Sequence, residues 1–423
     1  MEAEAIPQRA EEKTDEIVSA DLVIAVLAEL DSVVVGGMCE ALETLPGPLK
    51  IAVLQKEGRP TPPSGNPEVS ETAASSKVTP QASVFHVPWP LTKPEGASAG
   101  VTSMVATYRS AFAAAEKMQA RACCIIASKL ENMSLKYVCQ FAQPLIESQV
   151  DLVLPHYARL KFEGLLNNSI LAPLTRTLYG KRVSNPMGPD FGLSQRLLQK
   201  INARAGNATG NRLHPLASLA PTALCENLKI LEFHLGSRIY PPTDWANMSS
   251  ILADVLSPVF LEMERNAPCW QRTRFFAPLP STGESSMSSQ EASTLDTTRL
   301  VESFQLGNRE LQEIWGLVLP PSTLFELRKL ARLPLQQFRM SDELWVRIVY
   351  DFALAHRLRT ISRDHLLRSM TPLYLGWVAS YAHDLQEFDA ISAERRLERL
   401  AAVYEGDKSY LVSRWRWPDR FNP

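Results

Sequence analysis

The sequence predicts an α/β domain with a mostly parallel sheet, followed by a region built of helices only. Three observations carry that prediction. Between Asp21 and Ser148, short apolar or β-branched runs alternate with segments of helical period, the pattern of a parallel sheet covered by helices. From Asp151 to Ser194, an apolar run stopped by proline passes through a polar turn into a helix and then a glycine-flanked loop. After Asp296 the strand-like runs cease and helical periodicity takes over.

Residues 1–14 are charged and poor in apolar residues, and are expected to be disordered. Strands are expected at Asp21–Leu27, Lys50–Leu54, Ser83–Val87 and Ala122–Ile126, with helices at Val34–Leu45, Thr102–Gln119 and Ser134–Ser148 between and after them. The stretch 57–80 is rich in Pro, Ser, Thr and Gly and reads as an exposed loop. Asp151–Pro155 suits a buried strand ending at the proline, and Asn168 or Ser169 suits the cap of a helix running to Tyr179. Ser194 is placed to cap a helix over Gln195–Ala203, Lys229–Tyr240 reads as a late strand, and Ser249–Arg265 as an amphipathic helix. These elements define a domain over 15–275, then a Ser-rich linker or loop over 276–296.

The region 297–423 is expected to hold helices near Leu300–Val318, Thr323–Leu333, Ser341–Arg357, Arg363–Asp384 and Ser392–Arg416, with Thr323 and Glu326 forming a capping box. Its aromatic residues, including Trp315, Phe325, Phe338, Trp345, Tyr350, Tyr374, Trp377 and Tyr381, fall at spacings that suit a packed core more than a ligand platform.

The chain has 423 residues, 45% hydrophobic and 21% charged, enough for two cores. A net charge of -2 gives no electrostatic case for nucleic acid or an anionic membrane surface. No apolar run approaches the roughly 20 residues of a transmembrane helix, and the acidic N-terminus lacks the apolar core of a signal peptide, so a cytoplasmic protein is expected. The six cysteines form neither a CxxC pair nor a zinc-spaced Cys/His cluster and are expected as reduced thiols.

The chemistry-bearing stretch is Asp151–Ser194. Tyr157, Arg159, Lys161 and Glu163 alternate along an extended segment, Gly164 permits a turn, and Met187-Gly188-Pro189-Asp190-Phe191-Gly192 presents one carboxylate between glycines. In open α/β sheets such groups at the carboxyl ends of strands meet ligands. Tyr157, Arg159, Lys161, Phe162, Glu163, Gly164 and Asn168, then Gly188, Asp190, Phe191 and Gly192, resemble the acceptor motif of bacterial glycosyltransferases of the GT-A fold related to mannosylglycerate and glucosyl-3-phosphoglycerate synthases. The resemblance runs from about Asp15 to Trp417 and includes Asp364–Gly376.

That resemblance implies a GT-A-like domain, a nucleotide-sugar donor and a small acidic or glycosidic acceptor. It implies acceptor contacts at Arg159, Glu163, Asn168 and Gly188, and a catalytic carboxylate at Asp190, with capping of a helix near Leu193 as the alternative role for that residue. A salt bridge to Glu163 is the alternative role for Arg159. Replacement of Asp190 by alanine is expected to leave the fold intact.

The donor side departs from the family pattern. Where the family carries an Asp-x-Asp pair for a divalent cation, this chain has Ala127-Ser128-Lys129; where it carries a histidine ligand, Tyr240 stands, with His234 six residues away. The glycine turn survives only as Gly100 before Val101 and Thr102. Two readings follow: a pseudoenzyme with a binding or regulatory role, beside an active paralogue or as a homo-oligomer, or a metal-independent transferase in which Lys129 and Gly100 face the donor diphosphate. Neither invokes a cofactor, since the family's divalent metal lacks its ligands here.

Overall fold

The computed structural model describes residues 19–27, 32–56, 82–89, 101–128, 135–206, 214–237, 243–274, 276–283, 295–385 and 390–418. The expectations for residues 1–14 and the 57–80 loop lie outside them, as do Lys129, Gly100 and Tyr240.

The first half follows the alternation read from the sequence: β1 (Leu22–Val26), α1 (Ser32–Glu43), β2 (Lys50–Lys56), β3 (Ser83–Trp89), α2 (Val101–Lys117), β4 (Ala122–Ile126), α3 (Leu135–Ile146) and β5 (Leu152–Ala158). A π-helical turn, Asn167–Leu171, then runs straight into α4 (Ala172–Tyr179), which ends on Gly180 in the left-handed conformation at φ 73°. Asn168 therefore lies inside the helical run and not at its cap. After β6 (Lys181–Arg182) and β7 (Phe191–Ser194) come α5 (Gln195–Gly206), α6 (Pro215–Cys225), β8 (Ile230–Ser237), α7 (Met248–Arg265) and α8 (Ala267–Trp270). Ser194 caps α5 as the sequence suggested, its hydroxyl accepting from Leu197 N at 3.3 Å.

The main sheet has the order β10-β8-β5-β7-β4-β1-β2-β3, where β9 is Ala277–Pro278 and β10 Ser281–Thr282. Among the described strands only β7 runs antiparallel, wedged between β4 and β5. Residues 276–283, expected within a linker, thus form regular structure: β9 pairs with β6, and β10 extends the sheet beside β8.

Strand β5 continues three residues beyond the proline expected to end it. Leu152 N donates to Lys229 O on the β8 flank, so the alternation of the strand aims position 155 at the β7 flank, where pairing stops at Val153. The missing N–H of Pro155 falls where no ladder bond is due.

The rest of the chain is helical: α9 (Thr297–Glu310), α10 (Gln312–Gly316), α11 (Pro321–Leu330), α12 (Asp342–Leu358), α13 (Arg363–Ser369), α14 (Thr371–Asp384), α15 (Ala390–Gly406) and α16 (Lys408–Arg416), with a short 3₁₀ turn at Leu335–Gln337. Three segments expected as single helices each break in two, one of them at Met370-Thr371-Pro372, where Pro372 falls in the first turn of α14. Thr323 sits one turn inside α11, buried, so the expected capping box does not form, whereas Ser341 caps α12 through Leu344 N at 3.2 Å. Trp315, Trp345, Trp377, Tyr350, Tyr374 and Tyr381 are fully buried as expected, but Phe325 is 68% exposed.

One apolar cluster joins Ile170, Leu174 and Leu178 of the first half and Leu252, Leu256 and Phe260 of α7 to the core of α9–α16. Trp345 Nε1 and Tyr404 OH both donate to Ser169 O, at 3.3 and 2.8 Å, so the helical region clamps the π-turn directly. Cys225 and Cys269, expected as thiols, form a disulfide with Cα atoms 5.9 Å apart, tying the end of α6 to α8. At a sequence separation of 44, no local spacing announced the pair. Among the described residues no helix is long and apolar enough to cross a membrane.

Candidate functional site

The face of the sheet under α2, α5 and α6 is apolar at Leu152, Leu154 and Ile230 and turns polar toward the carboxyl ends of β5 and β8. His156 pairs in register with His234, and Leu154 with Glu232, so period-two alternation sets His156, His234 and Glu232 on one side. The pairing slips by one residue just beyond, where Tyr157 faces Gly236 and Leu235 is extra; Gly236 has a φ of 74°, which its missing Cβ permits. Bulges of this kind re-aim the side chains next to them.

The two imidazole rings lie tilted at 33° to each other with centroids 4.3 Å apart. The buried Glu232 takes Ser184 N at 2.6 Å and the Ser184 hydroxyl at 3.2 Å, and that hydroxyl lies 3.3 Å from His156 Nδ1. With the one hydroxyl proton directed at Glu232, His156 carries its proton on Nδ1 and keeps Nε2 as an acceptor. Burial, then the neighbouring His234, Arg182 and Arg159, pulls the His156 pKa down to about 4, whereas burial raises that of Glu232. His156 is therefore neutral at ordinary pH.

The residues of the acceptor motif assemble beside this cluster. Arg159 donates from Nη1 to Asn168 Oδ1 at 2.9 Å and from Nη2 to Asn185 Oδ1, and it lies across Gly164, where any Cβ would meet its guanidinium. Gly164 has a φ of 60°, so both the turn and the close approach require glycine. Asn185 Nδ2 donates to Pro155 O at 2.9 Å, and a Cβ on Gly188 would meet Pro155 Cγ at 2.3 Å, so the 185–188 loop lies flat on the end of β5. Glu163 closes its own turn by accepting from Leu160 N at 2.9 Å. Lys161 reaches Leu385 O at 3.0 Å, and Tyr381 OH donates to Lys161 O at 3.1 Å, which fastens this segment to α14.

Asp190 is 2% exposed and is occupied by three donors: Ala127 N at 2.7 Å, Ser128 N at 2.8 Å and Tyr157 OH. It bonds the chain just past β4, where a metal-binding pair was sought in the sequence, to the end of β5. The helix-capping alternative does not hold, since 191–194 form β7 and Ser194 caps the helix that follows. Asp190→Ala, expected from the sequence to leave the fold intact, would take the acceptor from these three donors.

Of His156, His234, Ser184, Asn185 and Glu232, the sequence pointed only to His234, as a packed or surface histidine, and gave no role to the other four. The signal was present in the alternation of Glu232 and His234 with the apolar Leu231, Phe233 and Leu235. Among the described residues no group of three or more His, Cys, Asp or Glu is arranged to hold a metal ion.

No protein-family model matches this chain, and no curated protein does. Among solved structures, the crystal structure of glucosyl-3-phosphoglycerate synthase from Mycobacterium tuberculosis in complex with phosphoglyceric acid is similar over 61% of this chain and 85% of that one, with 16% identity and a TM-score of 0.34.

Proposed function

We propose that this chain is a glycosyltransferase-like binding protein that holds a small hydroxylated anion, of the glycerate or sugar-phosphate class, at the carboxyl ends of β5 and β8. The observation that carries the reading is the grouping of His156, His234 and Ser184 at the ends of β5 and β8, with the Arg159 guanidinium three residues further along the same segment. Guanidinium groups attract a carboxylate or phosphate, and a neutral imidazole nitrogen accepts from a hydroxyl. Arg159, Asn168 and Gly188 keep the acceptor-side roles implied by the resemblance, while Glu163 shapes the turn that carries Arg159. Asp190 acts as a positioning residue that holds the ends of β4 and β5 together. Its saturated carboxylate supports a binding or regulatory role over metal-assisted transfer from a nucleotide sugar. A homo-oligomer or an active paralogue is the partner such a role calls for.

The test is a transfer assay with UDP- and GDP-hexoses, glycerate and 3-phosphoglycerate, with manganese and with EDTA. No product under either condition is expected. Manganese-dependent turnover would overturn the reading, and turnover that survives EDTA would replace it with a metal-independent transferase. Placement in the cytoplasm belongs to the same proposal; because cytosolic thiols are kept reduced, the Cys225–Cys269 disulfide of the structure speaks against it, and fractionation of expressing cells checks it.

A further inference from the structure

We propose a second anion site, separate from the His156 cluster, in the cavity between the end of α14 and the first three turns of α15, taking a small polyphosphorylated molecule through Arg395 and Arg399. The cavity has a volume of about 890 Å³, and Asp384, Leu385, Arg395, Arg396, Glu398 and Arg399 are among its lining residues. That volume suits a ligand larger than a simple ion.

The charge balance of the lining decides the ligand class. Arg396, with its side chain only 10% exposed, pairs with Asp342 at 2.5 Å and with Asp384 at 3.2 Å; Asp384 also meets Arg339 at 3.5 Å. Glu398 is taken by Arg176 at 2.5 Å and by Arg182 at 3.5 Å. Both carboxylates among the described lining residues are thus paired, Asp384 with Arg396 and Arg339, and Glu398 with Arg176 and Arg182. Arg395 and Arg399 are exposed, stand four residues apart on one face of α15, and have no ion-pair partner among the described residues. Two adjacent guanidinium groups over a prepaired floor match two phosphoryl groups by bidentate hydrogen bonding. The cavity rim at Leu385 is bonded to Lys161, two residues from Arg159, which gives occupancy a short route to the segment beside the other site.

The experiment is calorimetric titration of the full chain with inorganic pyrophosphate at fixed ionic strength. Wild type is compared with the Arg395→Ala/Arg399→Ala double variant and with an Arg328→Ala/Lys329→Ala control, which removes the same charge from exposed positions of α11. Sub-millimolar binding is expected in wild type, weakened by about tenfold or more in the first variant and by less than about twofold in the control. Thermal melts of both variants, whose changes fall on exposed side chains, verify that each is folded. Absence of binding in wild type, unchanged affinity in the first variant, or equal losses in both variants would overturn the proposal, the last by reducing it to general screening.

Discussion

Asp190 shows how a residue identity can be legible while its role is not. The sequence singled it out as the carboxylate of a glycine-flanked loop, but no local pattern announces that Ala127 N, Ser128 N and Tyr157 OH converge on it from two other strands. Leaving these buried donors without an acceptor costs about 1–3 kcal/mol each, tempered by relaxation. Asp190→Ala is therefore expected to lower unfolding free energy by about 3 kcal/mol in urea titration. Asp190→Asn, which retains an acceptor oxygen for the two amides, should lose about half as much. Equal stability of Asp190→Ala and wild type would return the residue to the role of a free catalytic group. Arg159 was legible in the same partial way: its charge was evident, but its orientation by two asparagines 9 and 26 residues away was not.

At the scale of elements, the parallel strands and their helices were readable because their apolar runs are short, β-branched and separated by helical spacing. Strand β7 was not. Its four residues, Phe191–Ser194, are too few to show a period, and they pair with β4 and β5 only through tertiary contact. Gly192 makes this wedge possible: a Cβ there would lie 2.4 Å from Leu145 Cδ1 and 3.1 Å from Cys124 Sγ. Gly192→Ala is expected to destabilise the protein by about 1–3 kcal/mol through overpacking against α3, read as a lowered melting temperature. A melting temperature equal to that of wild type would mean that α3 moves away freely. The broken helices of the second half were missed for a related reason, since apolar residues fill both flanks of each break and periodicity runs through it.

At the scale of the whole molecule, and among the described residues, the buried His356 and the half-buried His156 and His214 are held neutral. Burial is the leading cause in each, lowering the pKa of His156 and His214 to about 4 and of His356 to about 3. These values lie below the ordinary 6.5, so the unfolded chain takes up protons first as pH falls, and the stability these groups contribute above 6.5 is lost on descending toward 4. The buried Asp351, its pKa raised to about 7, opposes this: its neutral form favours the folded state at low pH, and that contribution is lost as pH rises through 7. His356→Gln is thus expected to make the decline of urea midpoint between pH 6.5 and 4 shallower than in wild type, and an unchanged slope would show that His356 already titrates normally when folded.

The same scale holds the functional claim, because the site is complete only where the sheet, the 182–190 segment and α14 meet. The neutral imidazole and the Arg159 guanidinium on the same segment predict binding of a hydroxylated anion that needs no metal. The most direct measurement is calorimetric titration with 3-phosphoglycerate, in EDTA and in manganese, of wild type, His156→Asn and the Arg395→Ala/Arg399→Ala double variant. Binding of equal strength in the two buffers is expected, weakened about tenfold or more by His156→Asn and retained by the double variant. Binding that appears only with manganese, or that is indifferent to His156, would contradict that expectation.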